Sequence, residues 1–127
     1  MKNKKRILIC GATGFIGSYL ASFLDTHKDG YEIFCVKRDN DKAAPTSTNT
    51  MRFITADLLS KNFKDKLPGD IDVIIHLAGE SRTFLKSSES RKQFIENINI
   101  TSNILDYAES VNVRKVLFSS SVYVYSG

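Results

Sequence analysis

Five short apolar runs punctuate the chain: Arg6–Cys10, Glu32–Val36, Met51–Thr55, Ile71–Leu77 and Lys115–Ser119. Each is rich in Ile, Val or Phe and bounded by polar or turn residues. Runs that are apolar throughout, rather than alternating, predict parallel strands buried on both faces. Between the first two, Ile16, Leu20, Phe23 and Leu24 mark one face of a helix, and Gly30 supplies its stop. Between the last two, Phe94, Ile98, Thr101, Leu105 and Ala108 keep helical spacing, predicting a long helix from about Ser90 to Ser110. Asp39–Thr50 is polar, contains Pro45 and reads as a loop, while Asn62–Leu67 predicts a short helix ended by Pro68-Gly69. Alternation of strands and helices is an α/β pattern. Right-handed crossovers then give a doubly wound, five-stranded parallel sheet in the order 3-2-1-4-5.

Composition narrows the class. The 127 residues, 42% hydrophobic and 25% charged, suit one globular domain spanning the whole chain. No repeat or linker divides it. The net charge of +4 is mild, and the Lys4-Lys5-Arg6 run reads as a solvated lead-in to the first strand, which argues against a nucleic-acid partner. Cys10 and Cys35 lie inside apolar runs without metal-ligand spacing and read as buried thiols in a reducing compartment. His27 and His76 have no cysteine companions, and His76 reads as a core histidine, so no metal site is expected. No stretch is long enough to span a membrane, and the basic N-terminus leads into a strand rather than a secretory signal. The expectation is a soluble, cytoplasmic protein.

Candidate chemistry begins at Gly11-Ala12-Thr13-Gly14-Phe15-Ile16-Gly17, placed between a predicted strand and a predicted helix. That context makes the glycine pattern usable. Gly11 permits a tight turn, Gly14 lets backbone approach a pyrophosphate without a Cβ, and Gly17 lets the helix pack on the sheet. Free N–H groups of Phe15 and Ile16 would add the positive end of the helix dipole. A Rossmann-type dinucleotide site is expected.

Ile7-Leu8-Ile9-Cys10-Gly11-Ala12-Thr13-Gly14-Phe15-Ile16-Gly17 resembles the fingerprint of the extended short-chain dehydrogenase/reductase family, which includes NAD(P)-dependent epimerases and dehydratases acting on nucleotide sugars. Four further motifs follow in family order. The second strand ends Val36-Lys37-Arg38, where NAD-preferring members carry an acidic residue. Two cations suit a 2′-phosphate, so NADP is favoured over NAD, although Asp39 next door offers a ribose ligand. Thr55-Ala56-Asp57-Leu58 resembles the family's Gly-Asp-Leu segment, implying an adenine contact from the Asp57 carboxylate and the Leu58 N–H. Asp57 also suits a cap or turn. Asp72–Gly79 resembles the Val-Ile-His-Leu-Ala segment, with Leu77, Ala78 and Gly79 leaving space for the cofactor. Asn97–Leu105 resembles the Asn-Val-x-Gly-Thr-x-Asn-Leu-Leu helix, with Ile100 in place of the usual glycine. Asn97 is implied at the cofactor site and Asn103 in fixing the helix; a structural role fits both.

Phe118-Ser119-Ser120-Ser121-Val122-Tyr123-Val124-Tyr125 resembles the family's Ser-Ser-Ser-x-x-Val-Tyr-Gly segment. By that match Ser119 borders the cofactor, and Ser121 is the catalytic hydroxyl that bonds the substrate oxygen. Tyr125 matches a tyrosine that lines the site, and Ser126 departs from the glycine that follows it. Turn hydrogen bonds are the plainer reading of the serines alone. The family's Tyr-x-x-x-Lys pair is missing: the tyrosines meet Phe23, Cys35, Val111 and Gly127 four residues on, and Tyr125 runs out of chain. The expectation is therefore an N-terminal portion of a longer enzyme, its sheet incomplete at the C-terminus, able to bind a dinucleotide and inactive alone. The whole enzyme would transfer hydride to or from a nucleotide-sugar-like small molecule. A non-catalytic nucleotide-binding module of the same fold is the alternative. In the loop Glu80–Ser88, Arg82 can approach a phosphate or remain solvated. The resemblance also leaves open a homodimer through the long helix.

Overall fold

The computed structural model describes residues 3–27, 29–39, 47–82 and 85–125, apart from the side chains of residues 122 and 123. Most of the Asp39–Thr50 segment, Pro45 included, and Ser126 lie outside them. The strands are β1 (Lys5–Cys10), β2 (Tyr31–Lys37), β3 (Met51–Thr55), β4 (Val73–His76) and β5 (Lys115–Phe118). Helix α1 (Phe15–Asp25) joins β1 to β2, and α2 (Ser87–Ser110) joins β4 to β5. All pairings are parallel, and the order is β3-β2-β1-β4-β5, the Rossmann-type arrangement expected. The predicted Asn62–Leu67 helix is a single 3₁₀ turn, Phe63–Lys66.

Alternate side chains of each strand feed two cores, one on each face of the sheet. On one, Ile7, Ile9, Ile33, Cys35 and Met51 pack with Ala21, Leu20 and Leu24 of α1. On the other, Leu8, Cys10, Phe34, Val36 and Ile74 meet Ile104, Tyr107 and Ala108 of α2. Burying an aliphatic side chain of this size contributes about 1.5–3 kcal/mol, so the central strands, apolar on both faces, anchor the domain.

Both helices meet the sequence expectation only in part. In α1, Ile16 and Phe23 are 65% and 60% exposed, while Gly17 and Ala21 are buried. Close approach explains this: a Cβ on Gly17 would strike the Gly11 carbonyl oxygen and lie 2.9 Å from Ala12 Cα. Leu20 and Leu24 pack on the core as expected, and the small residues Gly17 and Ala21, rather than Ile16 and Phe23, complete that face. In α2, Phe94, Ile98 and Leu105 are exposed, while Ile100, Ile104 and Tyr107 pack inward with Thr101 and Ala108 on the sheet side. The helix carries two apolar stripes of equal spacing. Bonds to the rest of the domain hold the second one inward: the Tyr107 hydroxyl donates to the Pro68 carbonyl at 2.5 Å, and Asn103 donates to Leu58 O.

Element ends also shift. Gly30 is not the stop of α1, which is capped by Thr26 in right-handed helical geometry; Gly11 is the one described glycine with positive φ. Gly30 instead accepts from Lys5 N at 3.0 Å, at the start of β1. Helix α2 begins one turn earlier than predicted because Glu89 accepts from Lys86 N at 3.1 Å, closing its first turn. Strand β4 is shorter than the run Ile71–Leu77, with Ile71 buried in the preceding loop.

Candidate functional site

The carboxyl ends of β1, β2, β3 and β4 surround a cavity of about 390 Å³. Its floor is the turn between β1 and α1. Gly11 sits at φ +88°, and a Cβ there would lie 2.7 Å from the backbone of Leu77 and Ala78. Only glycine meets both demands. Gly14 is different. Its φ and ψ of −74° and 172° suit any residue, and a Cβ would make only an ordinary contact, 3.4 Å from Gly11 O. Nothing inside the protein requires glycine at 14, yet the residue lines the cavity. A bare backbone there leaves room for a ligand to approach.

Helix α1 points its N-terminus at this turn and has no side-chain cap. The first N–H groups of a helix lack intrahelical acceptors and favour an anion. The glycine geometry and uncapped helix together fit a pyrophosphate.

Lys37 and Arg38 leave β2 on one side of the cavity, and Asp57 and Leu58 follow β3. Asp57 Oδ1 accepts from Leu59 N at 2.9 Å, stiffening that turn. Asn103 Nδ2 donates to Leu58 O at 2.7 Å, so α2 holds the same loop. On the other side, Leu77 N continues the ladder to Cys10 O at 2.8 Å, followed by Ala78 and Gly79.

Of the expected site residues, Gly11, Thr13, Gly14, Lys37, Arg38, Asp57, Leu58, Leu77, Ala78 and Gly79 line the cavity. Phe15, Ile16, Gly17, Asn97, Ser119 and Ser121 do not. Phe15 and Ile16 turn their side chains to solvent, leaving backbone as what they offer the turn. Asn97 acts one layer behind: Glu80 N donates to Asn97 Oδ1 at 2.8 Å, and Asn97 Nδ2 donates to Glu80 O at 2.9 Å. Ser119 N donates to His76 O at 3.2 Å, and Ser121 lies exposed beyond β5. Tyr125 is 87% exposed.

Several lining residues escaped the sequence reading: Val36, Ala56, Leu59, Glu80, Glu96 and Ile100. Glu96 and Ile100 lie four apart on α2, a spacing that places them on one face. Ile100, where the resemblance expects glycine, both lines the cavity and packs against the core. Glu80 carries the clearest electrostatic feature. One carboxylate oxygen meets Arg38 Nη1 at 3.0 Å and the other meets Arg82 Nε at 3.5 Å. Arg82 is therefore paired rather than merely solvated.

The buried ionisable groups lie apart from this chemistry. Burial pushes the Cys10 and Cys35 thiols up to about 12, leaving them protonated and inert. His76 is 2% exposed, and its Nε2 lies 2.9 Å from the Thr101 hydroxyl. Burial lowers its pKa and favours the neutral ring. No cluster of metal-ligating side chains occurs among the described residues.

Residues 7–127 match the model of the NAD-dependent epimerase/dehydratase family. The chain belongs to that family. It is 37% identical to the UDP-N-acetyl-alpha-D-glucosaminuronate decarboxylase of Bacillus cytotoxicus, over 96% of this chain and 38% of that protein. It is 27% identical to the UDP-glucose 4-epimerase of Pisum sativum, over 97% of this chain and 38% of that protein. A crystal structure of a UDP-glucose 4-epimerase superposes with a TM-score of 0.80 at 25% identity, over 97% of this chain and 37% of its own. The chain thus spans about two fifths of the curated relatives it matches. No helix among the described residues is long and apolar enough to cross a membrane.

Proposed function

We propose that this chain is the NAD(P)-binding portion of an enzyme that moves hydride to and from a hydroxyl or carbonyl carbon of a nucleotide-sugar-like substrate. The observation that carries the reading is Gly14, a glycine the protein's own packing does not need, facing a cavity beneath an uncapped helix. Gly11, Thr13 and Gly14, with the N–H groups of Phe15 and Ile16, would hold the pyrophosphate, while Gly17 seats the helix. Asp57 and Leu58 would take the adenine, and Lys37 and Arg38 the adenosine ribose and its 2′-phosphate, which favours NADP over NAD. Leu77, Ala78 and Gly79 leave room for the remainder, with Asn97 shaping that wall and Ser119 beyond it. When bound, the nicotinamide supplies hydride acceptance and return. Ser121 would hydrogen-bond the substrate oxygen. A cytoplasmic location fits the reduced, buried cysteines.

The position of Ser121 outside the cavity lining supports a second reading. In it the chain binds the cofactor for sensing or structure and performs no hydride transfer. Two experiments separate the readings. Saturable binding of NADPH or NADH by this chain, followed through nicotinamide fluorescence, supports a dinucleotide site, and no binding contradicts both. Reading the gene past Gly127 then decides catalysis: a Tyr-x-x-x-Lys pair on a helix supports the enzyme, and a stop codon or a missing pair contradicts it.

A further inference from the structure

Glu80 occupies a position that neither the glycine turn nor the strand motifs account for. Strands β2 and β4 flank β1 on opposite sides, so the bridge from Arg38 Nη1 to Glu80 Oε1, 3.0 Å long, joins both walls of the cavity at their carboxyl ends. Glu80 is held for this task. Both hydrogen-bonding groups of its backbone are bonded to the Asn97 side chain, at 2.8 and 2.9 Å. The preceding Gly79 lies against the same side chain, where a Cβ would approach Asn97 Oδ1 to 3.3 Å. Its second carboxylate oxygen faces Arg82 at 3.5 Å. The carboxylate is thus pinned from α2 and presented to two guanidinium groups.

The charge balance of the cavity follows from this arrangement. Its lining carries the cations of Lys37 and Arg38 against the carboxylates of Asp57, Glu80 and Glu96. An arginine at the end of the second strand is the group suited to a ribose 2′-phosphate. Here that guanidinium already holds a carboxylate. A phosphate arriving at Arg38 must compete with Glu80 for the same N–H donors and would sit beside its negative charge, which is unfavourable. A ribose 2′-hydroxyl meets neither obstacle.

We propose that Glu80 is a cofactor-specificity residue, which restrains Arg38 from the 2′-phosphate and so sets the ratio of NADPH to NADH affinity. The inference rests on the proposed dinucleotide site and amends one part of it: the pull of Lys37 and Arg38 towards NADP is weakened to the extent that Glu80 holds Arg38. Asn97 is the positioning residue behind Glu80.

The test is calorimetric titration of NADPH and NADH into the 127-residue chain, its Glu80→Gln variant, Arg38→Gln, and the double variant. Glu80→Gln keeps the side-chain size and removes the charge. It should raise the NADPH-to-NADH affinity ratio by roughly tenfold at low salt, as for loss of one competing charge at a partly exposed site, and by less at high salt. In the Arg38→Gln background the same change should leave the ratio close to unaltered. Asn97→Ala should move the ratio in the same direction as Glu80→Gln, by a smaller factor. Because both ligands report on the same folded population, a partly unfolded variant does not distort the ratio. An unchanged ratio in Glu80→Gln, or an equal change with and without Arg38, overturns the role of Glu80 and leaves the dinucleotide site standing. Absence of binding of either dinucleotide to the folded wild-type chain overturns both.

Discussion

Strands β1 and β5 belong to one parallel sheet and yet live in different surroundings. Leu8, Ile9 and Cys10 of β1 are 0% exposed, whereas Leu117 and Phe118 of β5 are 49% and 62% exposed. Strand β1 has a neighbour on each side and a helix layer over each face, while β5 pairs with β4 alone among the described residues. The turn after β1 is therefore fixed by atoms close around it: Leu77 and Ala78 behind Gly11, and Gly11 behind Gly17. The segment after β5, which carries Ser121, follows the last strand of the sheet order. The glycine turn that lines the cavity is fixed from several sides, whereas Ser121 lies outside that lining. A phosphate needs donors and an absence of side chains, which a single βα unit can supply. Hydride chemistry needs several groups converging on one carbon, and these come from different strand ends and helices.

The three glycines give the largest contrast. Gly17→Ala places a Cβ on the Gly11 carbonyl oxygen, and Gly11→Ala adds strain at φ +88° to a clash with the backbone of β4's exit. Each should cost several kcal/mol, in the range of about 3 kcal/mol or more, read as a lower urea midpoint or failure to fold. Gly14→Ala has room and an ordinary backbone geometry, so its urea midpoint should move by no more than the few tenths typical of an exposed site. Its dinucleotide affinity should still fall, by roughly tenfold or more, as a Cβ intrudes on close backbone approach. Equal destabilisation by all three would erase the distinction between packing glycines and a ligand glycine.

A smaller effect comes from pH at the boundary between the two regions. His76 ends β4 and stacks near Phe118 of β5, with ring centroids 5.1 Å apart. Burial lowers its pKa in the folded chain, so the unfolded chain takes up a proton first as pH falls. Above about pH 6.5, the ordinary histidine value, the ring is neutral in both states and contributes no pH dependence. Below it, stability should fall by at most about 1.4 kcal/mol per pH unit until the folded ring also protonates. Urea midpoints from pH 7.5 to 5.5 should show this slope, flattened in His76→Gln. The smallest effect belongs to Ser121→Ala, which should leave dinucleotide affinity unchanged in a calorimetric titration, since Ser121 lies outside the cavity lining. A loss of affinity there would tie the two regions together.

Strand order, the glycine turn and the residues after β2, β3 and β4 were legible because each depends on short-range pattern. Apolar runs mark buried strands, and the glycines report their own turn. The helix faces were legible only in part. Phe94, Ile98 and Leu105 share the spacing of a core stripe with Ile100, Ile104 and Tyr107, and what distinguishes them are long-range bonds from α2, those of Asn97, Thr101, Asn103 and Tyr107. In α1 the buried face is marked by Gly17 and Ala21, small residues that a search for large apolar ones passes over. Glu80 was invisible for another reason. Its partners Arg38, Arg82 and Asn97 are distributed across three parts of the chain, so its role exists only once β2 and β4 flank β1.

The central claim is that the bare backbone at Gly14 accepts a dinucleotide's phosphates. Parallel calorimetric titration of NADPH into the wild-type chain and Gly14→Val tests it most directly, with urea midpoints confirming that both are folded. Saturable one-site binding to the wild type, lost in the variant at similar stability, is the predicted result. No binding to the folded wild type, or equal affinity in the variant, would contradict it.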